Sequence, residues 1–129
     1  MKSYITGIGG VFFRASAPQQ TRDWYLQHFG LESQSWGAVF EWKNFENPSL
    51  SGSTSWCPFS NENDYFGNPN QQYMINYRVR DIEELVSKLM NDGIVIAKEM
   101  ESSDFGKFVW INDPDGNRIG LWEPNDSAG

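Results

Sequence analysis

The order of signals in the first half of the chain recurs in the second, and this repetition constrains the fold more than any other feature. Arg14 follows an aromatic residue and precedes a small apolar one (F-R-A); Arg78, 64 positions on, sits in the matching Y-R-V. The helix-ending glycines Gly30 and Gly93 lie 63 apart, and the strand-opening glycines Gly52 and Gly116 lie 64 apart. Two βαβββ copies of about 64 residues are the simplest account. Module 1 is placed at about residues 1–60, a linker at about 60–72 and module 2 at about 73–124, within a single domain.

Local signals fill in each copy. The run from Ile5 to Ala15 is apolar, ring-rich and bounded by glycines, as a strand should be. A helix follows, with Ser16 as N-cap, Pro18 in its first turn and Gly30 as its stop. Thr21, Trp24, Tyr25, His28 and Phe29 recur at 3–4 spacing and predict a buried stripe. Strands are expected at Glu32–Trp36, Ala38–Lys43 and Ser53–Phe59, before a loop rich in Asn at Ser60–Gln72. In the second half Tyr73–Val79 reads as a strand, and Asp81 with Glu84 as a capping-box-like helix start. Ile82, Leu85, Val86, Leu89 and Met90 supply the apolar stripe of a helix that stops at Gly93. Strands then read at Ile94–Lys98, Lys107–Asn112 and Asn117–Glu123, the last two joined by a turn at Asp113–Asn117.

Composition removes whole classes of function. With 10 Lys+Arg against 17 Asp+Glu, the net charge of −7 opposes a nucleic-acid surface. No run approaches the roughly 18 apolar residues of a membrane span, and the N-terminus has no signal-peptide pattern. A cytoplasmic protein is the default. Cys57 is the only cysteine and His28 the only histidine, so neither a thiolate zinc cluster nor a multi-imidazole site is available.

Four stretches carry a resemblance to a known family: G-I-G-G-V-F-F-R-A-S at Gly7–Ser16, D-W-Y-L-Q-H-F-G-L-E at Asp23–Glu32, N-Y-R-V-R-D-I-E-E-L at Asn76–Leu85, and D-P-D-G-N-R-I-G-L-W-E-P at Asp113–Pro124. With these the chain resembles the vicinal-oxygen-chelate superfamily of glyoxalases, bleomycin-resistance proteins and extradiol dioxygenases. The resemblance implies an α+β fold in which two βαβββ modules form an open cupped mixed sheet with helices outside. It also implies metal ligands projecting into the cup from both modules. Those positions fall on Gly10, Met74, Gly120 and, by offsetting Gly120 by 64, on Trp56. None offers a good ligand for a hard or borderline divalent cation. No metal and no cofactor are therefore expected. A carboxylate-only site drawing on Glu41 or Glu62 has no motif behind it, and strand alternation turns Glu123 away from the cup.

Alternation from the four ligand positions predicts the cup lining. It comprises Phe12, Arg14, Trp56, Met74, Asn76, Arg78, Arg118 and Trp122, with Thr54 and Pro58 beside them. Aromatic walls, an amide and up to three guanidinium groups would stack a planar ligand and grip an anionic or carbonyl oxygen. The three arginines have an equally simple alternative role in structure, paired with acids or at strand ends. Trp24, Tyr25, Phe29, Phe108 and Trp110 are read as core, His28 as a packed or surface ring, and Cys57 as an inert thiol facing away from the cup. The turn Asn112–Gly116 is read as a hairpin rather than a calcium loop.

Three functions fit. The first is metal-independent capture of an aromatic or polar small molecule, as bleomycin-resistance members capture their drug. The second is a divergent glyoxalase-like lyase or isomerase, or a dioxygenase, with a non-standard or absent metal. The third is an assembly protein with no small ligand. The acidic net charge favours a cationic ligand at long range, whereas inward arginines favour an anion locally. By analogy with the family, a homodimer is expected.

Overall fold

Two antiparallel strands at the centre of one sheet organise the molecule: β1 (Ile5–Ala15) and β4 (Tyr73–Val79). The computed structural model describes residues 3–125. After β1 come α1 (Pro18–Phe29), β2 (Ala38–Lys43) and β3 (Ser51–Ser60); after β4 come α2 (Ile82–Asn91), β5 (Lys98–Ser103), β6 (Gly106–Asn112) and β7 (Arg118–Glu123). All seven strands share a mixed sheet in the order β2-β3-β1-β4-β7-β6-β5. β3 lies parallel to β1, and β7 lies parallel to β4. The halves thus repeat one arrangement about the β1–β4 seam, as the sequence periodicity requires, giving an α+β fold with an open sheet.

The halves are not equal copies. Glu32–Trp36 supplies only an isolated bridge, Gln34 to Gly37, where a strand was expected. In the second half the strand expected at Ile94–Lys98 begins where that range ends, as β5. Ile94 and Ile96 instead pack against the core below α2. Burial of these two side chains outweighs their β-propensity.

The helices also differ. α2 buries Ile82 and Leu85 against Val79, Val109, Ile111 and Leu121 on one face of the sheet. The N-cap Asp81 makes no cap hydrogen bond with its own side chain, and Glu123 Oε1 accepts the Ile82 N–H at 2.9 Å. A carboxylate reaching in from β7 serves the helix N-terminus equally well. α1 begins after Ala17 rather than Ser16, without a side-chain cap, and Gly30 ends it in the left-handed conformation. Contrary to the predicted stripe, α1 buries no residue: Trp24 is 50% and Phe29 69% exposed. Its rings meet one another, Trp24 lying 5.0 Å from Tyr25 and 4.9 Å from His28 between centroids. Among the described residues of α1, Tyr25 alone reaches a sheet ring, Trp56 at 4.8 Å.

The opposite face of the sheet holds a second core of Phe66, Met74 and Trp110, ringed by Phe12, Phe59, Tyr65 and Phe108. Phe66, fully buried, comes from the Asn-rich segment at mid-chain, so that segment is packed into the fold. Among the described residues no helix is long and apolar enough to cross a membrane.

Candidate functional site

A cavity of about 620 Å³ opens on the face that carries this second core, within the range of small-molecule sites. One row of residues crosses its floor. Strand pairing places Ser55 beside Gly10, Gly10 beside Asn76, Asn76 beside Gly120, and Gly120 beside Trp110. Side chains in register across a sheet share a face, so this row defines what can enter the cavity. Phe12, Met74, Asn76 and Trp122 line it, as alternation predicted.

Trp56 does not. The lining residues of β3 are Ser53, Ser55, Cys57 and Phe59, while Trp56 meets Tyr25 of α1 and Phe13. Transferring Gly120 by 64 positions gave residue 56, but the pairing puts Ser55 in that place. A one-residue slip turns a whole strand over. Thr54 and Pro58 are likewise off the lining, and Cys57, expected to face away, lies on it. Burial pushes the Cys57 thiol up to about 12, so it is neutral near pH 7 and a poor nucleophile.

None of the three arginines lines the cavity. Arg14 pins the mid-chain segment: its Nε donates to Gln71 O at 2.8 Å, Nη1 to Asn61 O and Asn63 O at 2.7 and 3.0 Å, and Nη2 to Asn68 O at 3.3 Å. Its guanidinium also stacks 4.7 Å from the Phe66 ring centroid. Arg118 holds the same segment, donating from Nη1 to Tyr65 O and from Nε to Asn112 Oδ1. Gln71 completes the clasp by bridging the Arg118 backbone, accepting from its N–H and donating to its carbonyl. Arg78 is 0% exposed, its guanidinium 5.3 Å from the Trp122 ring and 5.5 Å from the Trp42 ring. It braces the cavity wall from outside. Alternation identified the facing strand positions, but it carries no information on how long side chains are capped by a folded loop or by neighbouring rings.

Much of the actual wall was read as core or not singled out. Phe108 and Trp110 form a parallel stack with centroids 6.1 Å apart, and Trp122 continues it 5.9 Å from Phe108. Trp36, Val39, Tyr65, Phe105 and Glu101 complete the enclosure. The hairpin at Asp113–Asn117 held the relevant signal, because its loop fixes the register that sets Trp110 opposite Gly120 and Phe108 opposite Trp122. Glu101 brings a carboxylate, which pairs with Lys98 at 3.0 Å. Lys98 in turn lies 4.2 Å from the Tyr65 ring centroid.

No protein-family model matches the chain, and no curated protein matches its sequence. Solved structures do. A variant of Streptomyces coelicolor methylmalonyl-CoA epimerase in complex with 2-nitronate-propionyl-CoA superposes with a TM-score of 0.73 at 12% identity, over 97% of this chain and 99% of that one. The Mycobacterium tuberculosis methylmalonyl-CoA epimerase gives 0.62 at 15% identity, over 98% and 93%. A protein described as an NAD-dependent benzaldehyde dehydrogenase from Legionella pneumophila gives 0.58 at 17% identity, over 90% and 98%. The chain has the vicinal-oxygen-chelate fold. At these identities the likeness concerns architecture alone.

The metal that the family resemblance implies does not suit the residues present. Where the family resemblance implies ligands, a Cβ at Gly10 would stand 2.6 Å from the Phe12 ring. A Cβ at Gly120 would stand 2.6 Å from Asn76 Oδ1. Met74 offers a soft thioether, and Ser55 a neutral hydroxyl. Among the described residues no three of His, Cys, Asp and Glu converge. A ring takes the space beside Gly10, and an amide the space beside Gly120.

Proposed function

We propose that this chain captures a small aromatic molecule in the cavity by ring contacts, without a bridging metal ion. The observation that carries this reading is the wall itself: Phe12, Phe108, Trp110 and Trp122 present rings to a 620 Å³ space whose one carboxylate, Glu101, is paired with Lys98. Stacking on such rings adds about 0.5–1.5 kcal/mol per pair to the burial of apolar area. The guanidinium groups are engaged in the fold, so the local preference for an anion falls away. A net charge of −7 then favours a neutral or cationic guest.

Calorimetric titration with indole tests the reading, using Ser55→Trp to fill the cavity from its floor. Saturable binding to the natural chain and its loss in the variant are expected. Heats that are absent in both, or equal in both, contradict it.

A glyoxalase-like isomerase is the second reading, favoured by the acyl-CoA analogue held by a structural neighbour. Epimerisation of methylmalonyl-CoA by the purified chain would establish it. We also propose a homodimer, supported by the exposed rings of Trp24 and Phe29 on α1. Light scattering that returns the mass of a single chain would contradict that.

A further inference from the structure

Asn76 sits at the centre of the cavity floor, between Gly10 and Gly120, and is 2% exposed. Its Oδ1 is buried and accepts no hydrogen bond among the described residues. A desolvated acceptor left without a donor is costly, and folded chains rarely keep one without a use for it. The surroundings hold it there: the absence of a side chain at Gly120 gives Oδ1 its place, since an added Cβ would lie 2.6 Å away. The other polar side-chain groups on the lining are the hydroxyls of Ser53, Ser55 and Tyr65, the Cys57 thiol, the Glu101 carboxylate and the indole N–H groups of Trp36, Trp110 and Trp122, the last donating to Phe105 O.

We propose that Asn76 Oδ1 is the recognition point of the cavity, and that the guest is an aromatic molecule presenting an N–H or O–H donor to it, a neutral or cationic heteroaromatic or arylamine. This rests on the reading of the cavity as a small-molecule site. Rings set the plane of the guest; the amide oxygen sets which edge points to the floor. A donor meeting Oδ1 satisfies a buried acceptor, where such a bond counts for more than it does in solvent. An acceptor in the same place would face lone pairs.

Calorimetry with two probes of one shape, indole and benzofuran, separates the alternatives. The natural chain is expected to bind indole about tenfold more tightly, equivalent to about 1.4 kcal/mol. Asn76→Leu should bind both probes equally, and Gly120→Ala, which displaces the amide while leaving Asn76 in the chain, should reduce the preference too. Equal affinities in the natural chain, or a preference for benzofuran, overturn the role of Oδ1 while leaving the cavity a binding site. Binding of neither probe overturns the small-molecule reading and this inference with it. The comparison in the natural chain decides the matter even if neither variant folds.

Discussion

Asn76 and Gly120 occupy one volume: the amide of the first lies where any side chain of the second would have to begin, 2.6 Å from an ideal Cβ. β4 and β7 run parallel here with these two residues in register, so a side chain added at Gly120 must displace the amide. At the position where the family resemblance implies a metal ligand, the space is held by an amide.

Gly120→Glu would therefore not restore a metal site. The carboxylate would meet Asn76, and the neighbouring positions still offer no second charged ligand. Overpacking of this kind costs about 1–3 kcal/mol. Urea melts should show the loss, and calorimetry with Mn²⁺ or Zn²⁺ should show no gain in binding over the natural chain.

Arg14→Ala removes the donors to four backbone carbonyls of the mid-chain segment, at Gln71, Asn61, Asn63 and Asn68. Hydrogen bonds from a charged group are worth roughly 1.5–3 kcal/mol each but do not add, so a loss of about 2–4 kcal/mol is expected. Limited proteolysis should find new cleavage within residues 61–72. Cleavage no faster than in the natural chain would mean that Arg118 and Gln71 hold the segment alone.

How much of this was legible in the sequence follows from the kind of signal involved. β1, β2 and β4 match their expected ranges because alternation and glycine or loop boundaries are local. The site was half legible. Phe12, Met74, Asn76 and Trp122 come from strands whose phase the motifs fix, whereas β3 was misphased by one residue because the repeat is not of constant length. The arginines mislead for another reason: a guanidinium that faces a cup and one that clasps a loop over it occupy the same strand positions. Nothing local distinguishes them until residues 61–72 are folded. Likewise α1 has the periodicity of a packed helix, and only the sheet geometry shows that its rings lack a floor.

Cys57 gives a prediction in pH. Burial raises its thiol from 9.0 to about 12 in the folded chain. Between those values the unfolded chain has released the proton and the folded chain retains it. Stability contributed by the neutral thiol is whole below about pH 9 and falls as pH rises toward 12, by at most about 1.4 kcal/mol per pH unit. Cys57→Ala should flatten the alkaline arm of a stability–pH curve relative to the natural chain. In the natural chain, reaction with a thiol reagent at pH 8 should be slow until denaturant is added.

Ionic strength reports on the arginines. If their guanidinium groups are engaged in the fold, as observed, the anionic probe indole-3-acetate should bind no more tightly than indole at roughly 50 mM NaCl, since no free cation among the described residues faces the guest. Tighter binding of the anion, lost between roughly 50 and 500 mM NaCl, would place a cation in direct contact with the guest.

The central claim is capture by rings without a metal ion, and its most direct test is one calorimetric titration performed twice: indole into protein dialysed against EDTA, and indole into the same protein resupplied with a divalent cation. We predict one guest per chain with the same affinity in both. Binding lost to the chelator and restored by the cation would contradict the account.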